Sequence, residues 1–143
     1  MRIAEVLASK PRTDVVTIRP DAGVRELLAA LAEHNVGALV VSADGTTLDG
    51  IVSERDVVRR LHADGTVVEN TVGAIMTAVV EICSPDTDLD ELMRTMTDRR
   101  FRHVPVVEDG RLVGIVSIGD VVKHKIGQLE FERDQLDSYV HQT

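Results

Sequence analysis

Two serine–acid pairs at identical spacing are the first residues that could do chemistry: Ser53 and Asp56 within "GIVSERDVVRRL", and Ser117 and Asp120 within "GIVSIGDVVKHK". In each, a short β-branched run leads into the serine and a helical pattern follows, so the pair sits where a strand passes into a helix. One use of such a pair is a capping box variant, in which the serine oxygen and the carboxylate satisfy free N–H groups and the helix dipole. The other use is recognition. A helix N-terminus attracts phosphate, and a carboxylate offers two acceptor oxygens to the paired hydroxyls of a ribose. A single pair favours the cap, because such caps are common. Two pairs in equivalent settings bring the second use into play.

The elements that must position these pairs follow from a tandem duplication, with offsets of 64 to 65 between copies. "VVTIRPD" (Val15 to Asp21) answers to "VVEICSPD" (Val79 to Asp86), each beginning as a short buried strand and closing at a proline. Val24, Leu27, Leu28 and Leu31 then fall on one helical face, and Leu89, Leu92, Met93 and Met96 repeat that stripe. Next come two apolar runs joined through Asp44-Gly45 in the first copy and Asp109-Gly110 in the second, the dipeptide suited to hairpins. Val57, Val58 and Leu61, like Val121, Val122 and Ile126, mark a second amphipathic helix.

Each copy therefore reads β-α-β-β-α, and "RIAEVL" and "TVGAIM" are matching helical turns that precede the copies and tie them together. Repeats this short bury little surface alone, so the two are expected to pack sheet to sheet about a pseudo-two-fold axis, creating two equivalent clefts. The fold class is α+β: two tandem βαββα repeats plus a C-terminal helix. The divisions are residues 1–70, 71–126 and 127–143.

The recurrence of Gly-hydrophobic-hydrophobic-Ser-x-x-Asp at one place in two such units resembles a tandem pair of cystathionine-β-synthase-type (CBS) domains, from Arg2 to about Ile126. The resemblance implies that Asp56 and Asp120 bind a ligand ribose, that Ser53 and Ser117 contact ribose or phosphate, and that the first strand and the hairpin surround an adenine. It also implies phosphate contacts from Arg102 and His103, which align with Gly37 and Ala38. Arg55, inside the first motif, is a further phosphate candidate, though arginines in a first helical turn are commonly exposed. Only the second copy is strongly basic before its hairpin ("RRFRH"), so the cleft using Asp120 is expected to bind more tightly. Arg99 and Arg100 suit a solvated helix end.

Composition narrows the remaining classes. A formal charge of -8 argues against a nucleic-acid footprint. The single cysteine, Cys83, excludes an internal disulfide, and it has no nearby partners for zinc. The opening residues lack a signal-peptide core and no apolar run is long enough to span a bilayer, so a cytoplasmic protein without membrane partners is expected. "DTDLDE" imitates the start of a calcium loop but has Glu91 where glycine is required. No catalytic triad, metal pattern, P-loop or dinucleotide fingerprint is present, so no enzyme, metal or cofactor is expected.

Beyond the second copy, Val122, Ile126, Leu129, Arg133, Leu136 and Val140 alternate spacings of four and three, a heptad-like seam that suits a homodimer contact or a helix folded back on its own domain. The expected function is a stand-alone regulatory module that binds AMP, ADP, ATP or a related adenosyl metabolite between the repeats and signals to an unidentified effector protein. The alternative is a structural dimerisation protein whose serine–aspartate pairs are caps alone.

Overall fold

The computed structural model describes residues 1–10, 15–78 and 80–141. Val79, where the first strand of the second copy is expected to begin, and the last two residues of the tail lie outside the described residues. The first repeat contains β1 (Thr17–Ile18), α2 (Val24–His34), β2 (Ala38–Val41), β3 (Gly50–Ser53) and α3 (Glu54–Ala63). A 3₁₀ turn, Val67–Glu69, leads to the short helix α4 (Val72–Ile75). The second repeat contains α5 (Leu89–Arg99), β4 (His103–Glu108), β5 (Arg111–Ser117) and α6 (Ile118–Val140), and the helix α1 (Ile3–Ala8) opens the chain. The result is the expected α+β pair of repeats.

In the first sheet β1 runs parallel to β2 with Ile18 opposite Val41, and β2 pairs antiparallel with β3. The second sheet keeps the antiparallel pair, but its first strand contracts to one bridge, Cys83 beside Val106. Local chemistry explains this. Cys83 is the one fully buried apolar residue among the described residues of its stretch, since Glu81 pairs with Arg99 at 3.0 Å, Ile82 is exposed, and Ser84 enters a turn by donating its N–H to Thr87 Oγ1.

The two hairpins also differ. Asp109 and Gly110 both have positive φ (52° and 77°), the conformation of a two-residue turn matched to strand twist. The first hairpin instead has a longer loop, folded around the Asp44 carboxylate, which accepts the N–H groups of Thr46 and Thr47 at 2.9 and 2.7 Å. Those bonds, that of Thr47 N–H foremost, hold the Asp44 carboxyl well below the usual carboxylate range.

Each repeat has its own core, and each core borrows a helix from the far side of the duplication. Val72 and Ile75 of α4 pack with Val24, Leu27, Leu39 and Val52 of the first repeat. Ile3 and Val6 of α1 pack instead with Leu89, Met96, Val104 and Val116 of the second. Matching backbone bonds fasten the two helices: Val72 N–H to Ala22 O and Gly73 N–H to Pro20 O (both 2.8 Å), against Ile3 N–H to Thr87 O and Ala4 N–H to Pro85 O (both 2.9 Å). Ile3 and Val6 are wholly buried, and burial of each stabilises by roughly 1.5–3 kcal/mol, whereas the exposed Arg2–Asp86 pair adds at most about 1 kcal/mol. Apolar packing therefore holds α1 in place.

The amphipathic stripes are only partly covered. Val24, Leu27 and Leu31 are buried while Leu28 is exposed, and Val57 and Val121 are buried while Val58, Leu61, Val122 and Ile126 are exposed. The second helix of each repeat thus buries less of its stripe than its pattern predicts. Helix α6 runs on for 23 residues, anchored near its start by the Lys125–Asp90 pair at 2.9 Å and by a 2.8 Å bond between His124 and Ser9. Past Gln128 every described residue of it is exposed, so the alternative in which the tail folds back on its own domain is not the one adopted.

Candidate functional site

Both motifs fold as capping boxes. Ser53 ends β3: its N–H donates to Asp56 Oδ2 at 2.8 Å, its hydroxyl donates to the same oxygen at 3.1 Å, and its Oγ accepts the Asp56 N–H at 3.2 Å. Ser117 ends β5: its N–H donates to Asp120 Oδ2 at 2.9 Å and its Oγ accepts the Asp120 N–H at 3.1 Å. Capping leaves groups over. Neither aspartate Oδ1 accepts a hydrogen bond among the described residues, so each carboxylate retains an acceptor.

The glycine that opens each motif admits a crossing chain. A Cβ on Gly50 would lie 2.6 Å from Thr77 O, where Thr77 and Ile51 exchange backbone bonds of 2.9 and 3.0 Å. A Cβ on Gly114 would lie 2.6 Å from Leu7 Cδ2. The segment that follows α4 and the last turn of α1 therefore press against β3 and β5 beside the motifs.

Lys10 follows α1 and reaches the second motif. Its Nζ lies 2.9 Å from Asp120 Oδ2 and donates to Ile115 O at 2.7 Å. The side chains of Lys10 and Asp120 are 29% and 28% exposed, so the pair is partly shielded from water and screened less than a surface pair. Burial pushes the Asp120 carboxyl upward, but the Ser117 N–H and Lys10 outweigh it and hold the group below its ordinary range. Among the described residues no ion pair reaches Asp56, whose Oδ2 takes the Ser53 hydroxyl instead. The Ser117 hydroxyl also helps to hold the Asp120 carboxylate in its charged form.

His103 stands opposite Ser117 in the ladder, as Ala38 stands opposite Ser53. Arg102 O accepts the Ile118 N–H at 2.8 Å where Gly37 O accepts the Glu54 N–H at 2.9 Å, so the alignment of Arg102 and His103 with Gly37 and Ala38 is a spatial equivalence. The His103 ring extends to the first repeat: a Cβ on Gly37 would lie 3.7 Å from His103 Cε1 and 3.5 Å from Glu54 Oε1. Burial, then the Arg102 charge, depress the imidazole pKa against the pull of Asp120 and Glu54. The surroundings of the His103 ring thus disfavour its charged form. Arg55 and Arg102 are exposed. Burial pushes the Cys83 thiol up to about 11, which suits a packing residue rather than a nucleophile.

A cavity of about 700 Å³ opens between the repeats. The first repeat contributes Val16, Val36, Ala38 and Val40 to its wall, and the second contributes Val113, Gly114 and Ile115. Leu7 and Lys10 come from α1 and the residues after it. None of the seven residues nominated from the sequence (Ser53, Arg55, Asp56, Arg102, His103, Ser117, Asp120) belongs to this wall. Lys10 does, and it links the wall to Asp120. Sequence reasoning missed Lys10 because a lone lysine before a proline carries no motif and its partner lies 110 positions away (Lys10 to Asp120). Among the described residues no helix is long and apolar enough to cross a membrane, and no cluster of side chains could hold a metal ion.

Comparisons with known proteins agree with this architecture. The family model of the CBS domain matches twice, over residues 3–63 and 72–127. A mitochondrial CBS domain-containing protein of Arabidopsis thaliana, CBSX3, is 36% identical over 96% of this chain and 71% of its own length. The crystal structure of the CBS-domain containing protein ATU1752 from Agrobacterium tumefaciens superposes with a TM-score of 0.82 at 42% identity, covering 87% of this chain and 99% of that one. The structure of CBSX2 in complex with AMP gives a TM-score of 0.75 at 28% identity (90% and 98% covered). The CBS domain pair of protein MJ0100, in complex with 5-methylthioadenosine and S-adenosyl-L-methionine, gives 0.76 at 27% (90% and 98% covered).

Proposed function

Since the chain belongs to the CBS-domain family, we propose that it is a regulatory module that binds an adenine nucleotide or adenosyl ligand between its repeats and passes the bound state to an effector protein. The observation that carries this reading is the inter-repeat cavity with the Lys10–Asp120 pair at its edge. Its volume falls in the range of small-molecule sites, and its largely apolar wall suits a base. The related pairs with AMP or adenosyl compounds bound support the ligand class. In this reading Asp120 Oδ1 and the Ser117 hydroxyl face the ribose, and Asp56 and Ser53 are the corresponding groups of the other cleft.

Signalling follows by linkage. A ligand that contacts both repeats favours one relative orientation, by no more than its differential affinity for the two arrangements. The output surface in this proposal is a homodimer, because α6 exposes Val122, Ile126, Leu129, Leu136 and Val140, and a solitary helix of this kind needs a partner surface. A cytoplasmic location remains part of the proposal and rests on composition alone.

A melting screen with AMP, ADP, ATP, NAD and S-adenosylmethionine tests the reading. A ligand at 100 times its Kd should add about 2.7 kcal/mol to stability and be recovered unchanged. No shift at millimolar concentration would favour the structural alternative, in which the motifs are caps alone, and conversion of the nucleotide would make the protein an enzyme.

A further inference from the structure

We infer that Lys10 makes the inter-repeat cavity selective for a phosphate-bearing ligand over the corresponding neutral nucleoside. This rests on the reading above that a nucleotide occupies the cavity. An ammonium carries three N–H donors. Two are committed, to Ile115 O at 2.7 Å and Asp120 Oδ2 at 2.9 Å, which fixes the group on the cavity wall with one donor unengaged among the described residues. Holding an otherwise flexible lysine in advance lowers the entropy lost when an anion arrives, and partial burial strengthens the charge-assisted bond.

The other candidates for this role are less well placed. Arg55 and Arg102 are exposed, and neither they nor His103, whose charged form burial disfavours, belong to the wall. Glu108 also lines the cavity, and its negative charge disfavours an anion at its end, which leaves the Lys10 end for phosphate. The apolar stretch between Val16, Val36, Val40 and Ile115 then takes the base.

Lys10 also separates the two clefts. The matched backbone bonds pair Ile3 with Val72, and carrying that register forward sets Lys10 against Val79 in sequence. The segment after α1 therefore brings a cation to Asp120, whereas the sequence has valine at the aligned position. Asp120 thereby serves twice, offering Oδ1 to hydroxyls and acting as a positioning residue for Lys10.

Calorimetry on the full chain with AMP and adenosine as probes tests the assignment. The unmodified protein should bind AMP more tightly than adenosine. Lys10→Met should weaken AMP at least tenfold while changing adenosine less than threefold, and Lys10→Arg should keep AMP within about threefold of the original. If Lys10→Met fails to fold, Lys10→Gln reads the same difference with a polar but uncharged side chain. Equal losses for AMP and adenosine, or undiminished AMP binding, would overturn the inference while leaving the nucleotide reading intact. If the unmodified chain binds neither probe, this inference falls, and the wider melting screen decides the nucleotide reading separately.

Discussion

The two copies of the motif use one cap to different ends. At the first, Asp56 Oδ2 takes the hydroxyl of Ser53, three residues away, and the arrangement is closed within its own turn. At the second, the Ser117 side chain also bonds Asp120, and Lys10 adds a partner from a distant segment. A duplicated phrase thus keeps its local geometry because that geometry is encoded by residues three apart. What the carboxylate does next is decided by whichever distant segment lies against it. The helices that start at these caps diverge too: α3 ends at Ala63, whereas α6 continues to Val140.

That last difference gives the test with the largest expected effect. Deleting residues 128–143 removes the part of α6 that has no counterpart in α3, and should weaken a dimer at least 100-fold, about 2.7 kcal/mol, with the core still folded. Light scattering across a dilution series reads it. An undiminished dimer would mean that the faces shared by both repeats hold the subunits together.

Next in size are the paired glycines. Gly50→Ala drives a Cβ to 2.6 Å from a backbone carbonyl, that of Thr77, which moves only with the chain. Gly114→Ala meets the tip of the Leu7 side chain, which has rotamers to use. Urea unfolding should show losses of about 2–3 kcal/mol for the first and under about 1 kcal/mol for the second. Equal losses would show that the two crossings are equally rigid.

The clefts themselves come third. Asp120→Asn should weaken AMP about tenfold, roughly 1.4 kcal/mol, and Asp56→Asn should do so by less than threefold, measured by AMP-dependent melting. A larger loss at Asp56 would reverse the ranking of the two sites.

The smallest effect concerns His103, the residue that faces across from the second repeat to the first. Its folded pKa is depressed, so the folded state holds fewer protons on it than the unfolded chain does. Its contribution is full above the unfolded value of about 6.5 and falls as pH drops from there towards the folded value. His103→Gln should flatten the stability profile across that window, in urea titrations at stepped pH. An unchanged slope would assign it to other groups.

Much of this architecture was legible from spacing. Of the two stripes, Val24, Leu27, Leu31 and Leu89, Leu92, Met96 are buried, because a helix of period 3.6 presents one face wherever it packs, whereas Leu28 at the stripe's edge is exposed and Met93 half-buried. Which core a helix joins was not legible. "RIAEVL" and "TVGAIM" have the same apolar spacing, and such a pattern specifies a buried face without specifying its partner. The Ser53–Asp56 and Ser117–Asp120 geometry could be read because it is local. The Lys10–Asp120 pair could not, being a product of that exchange of helices, and the shortened strand at Cys83 turns on the polar neighbours Glu81 and Ser84.

The exchanged helices also set an order of events during synthesis. The core of the first repeat draws on a continuous stretch from Val16 to Met76, so it can close while the ribosome is still making the second half. The second core joins Ile3 and Val6 to partners that extend to Val121. Helix α1 is therefore made before the first repeat yet finds its seat only after the second, so its apolar face waits uncovered while the first core closes.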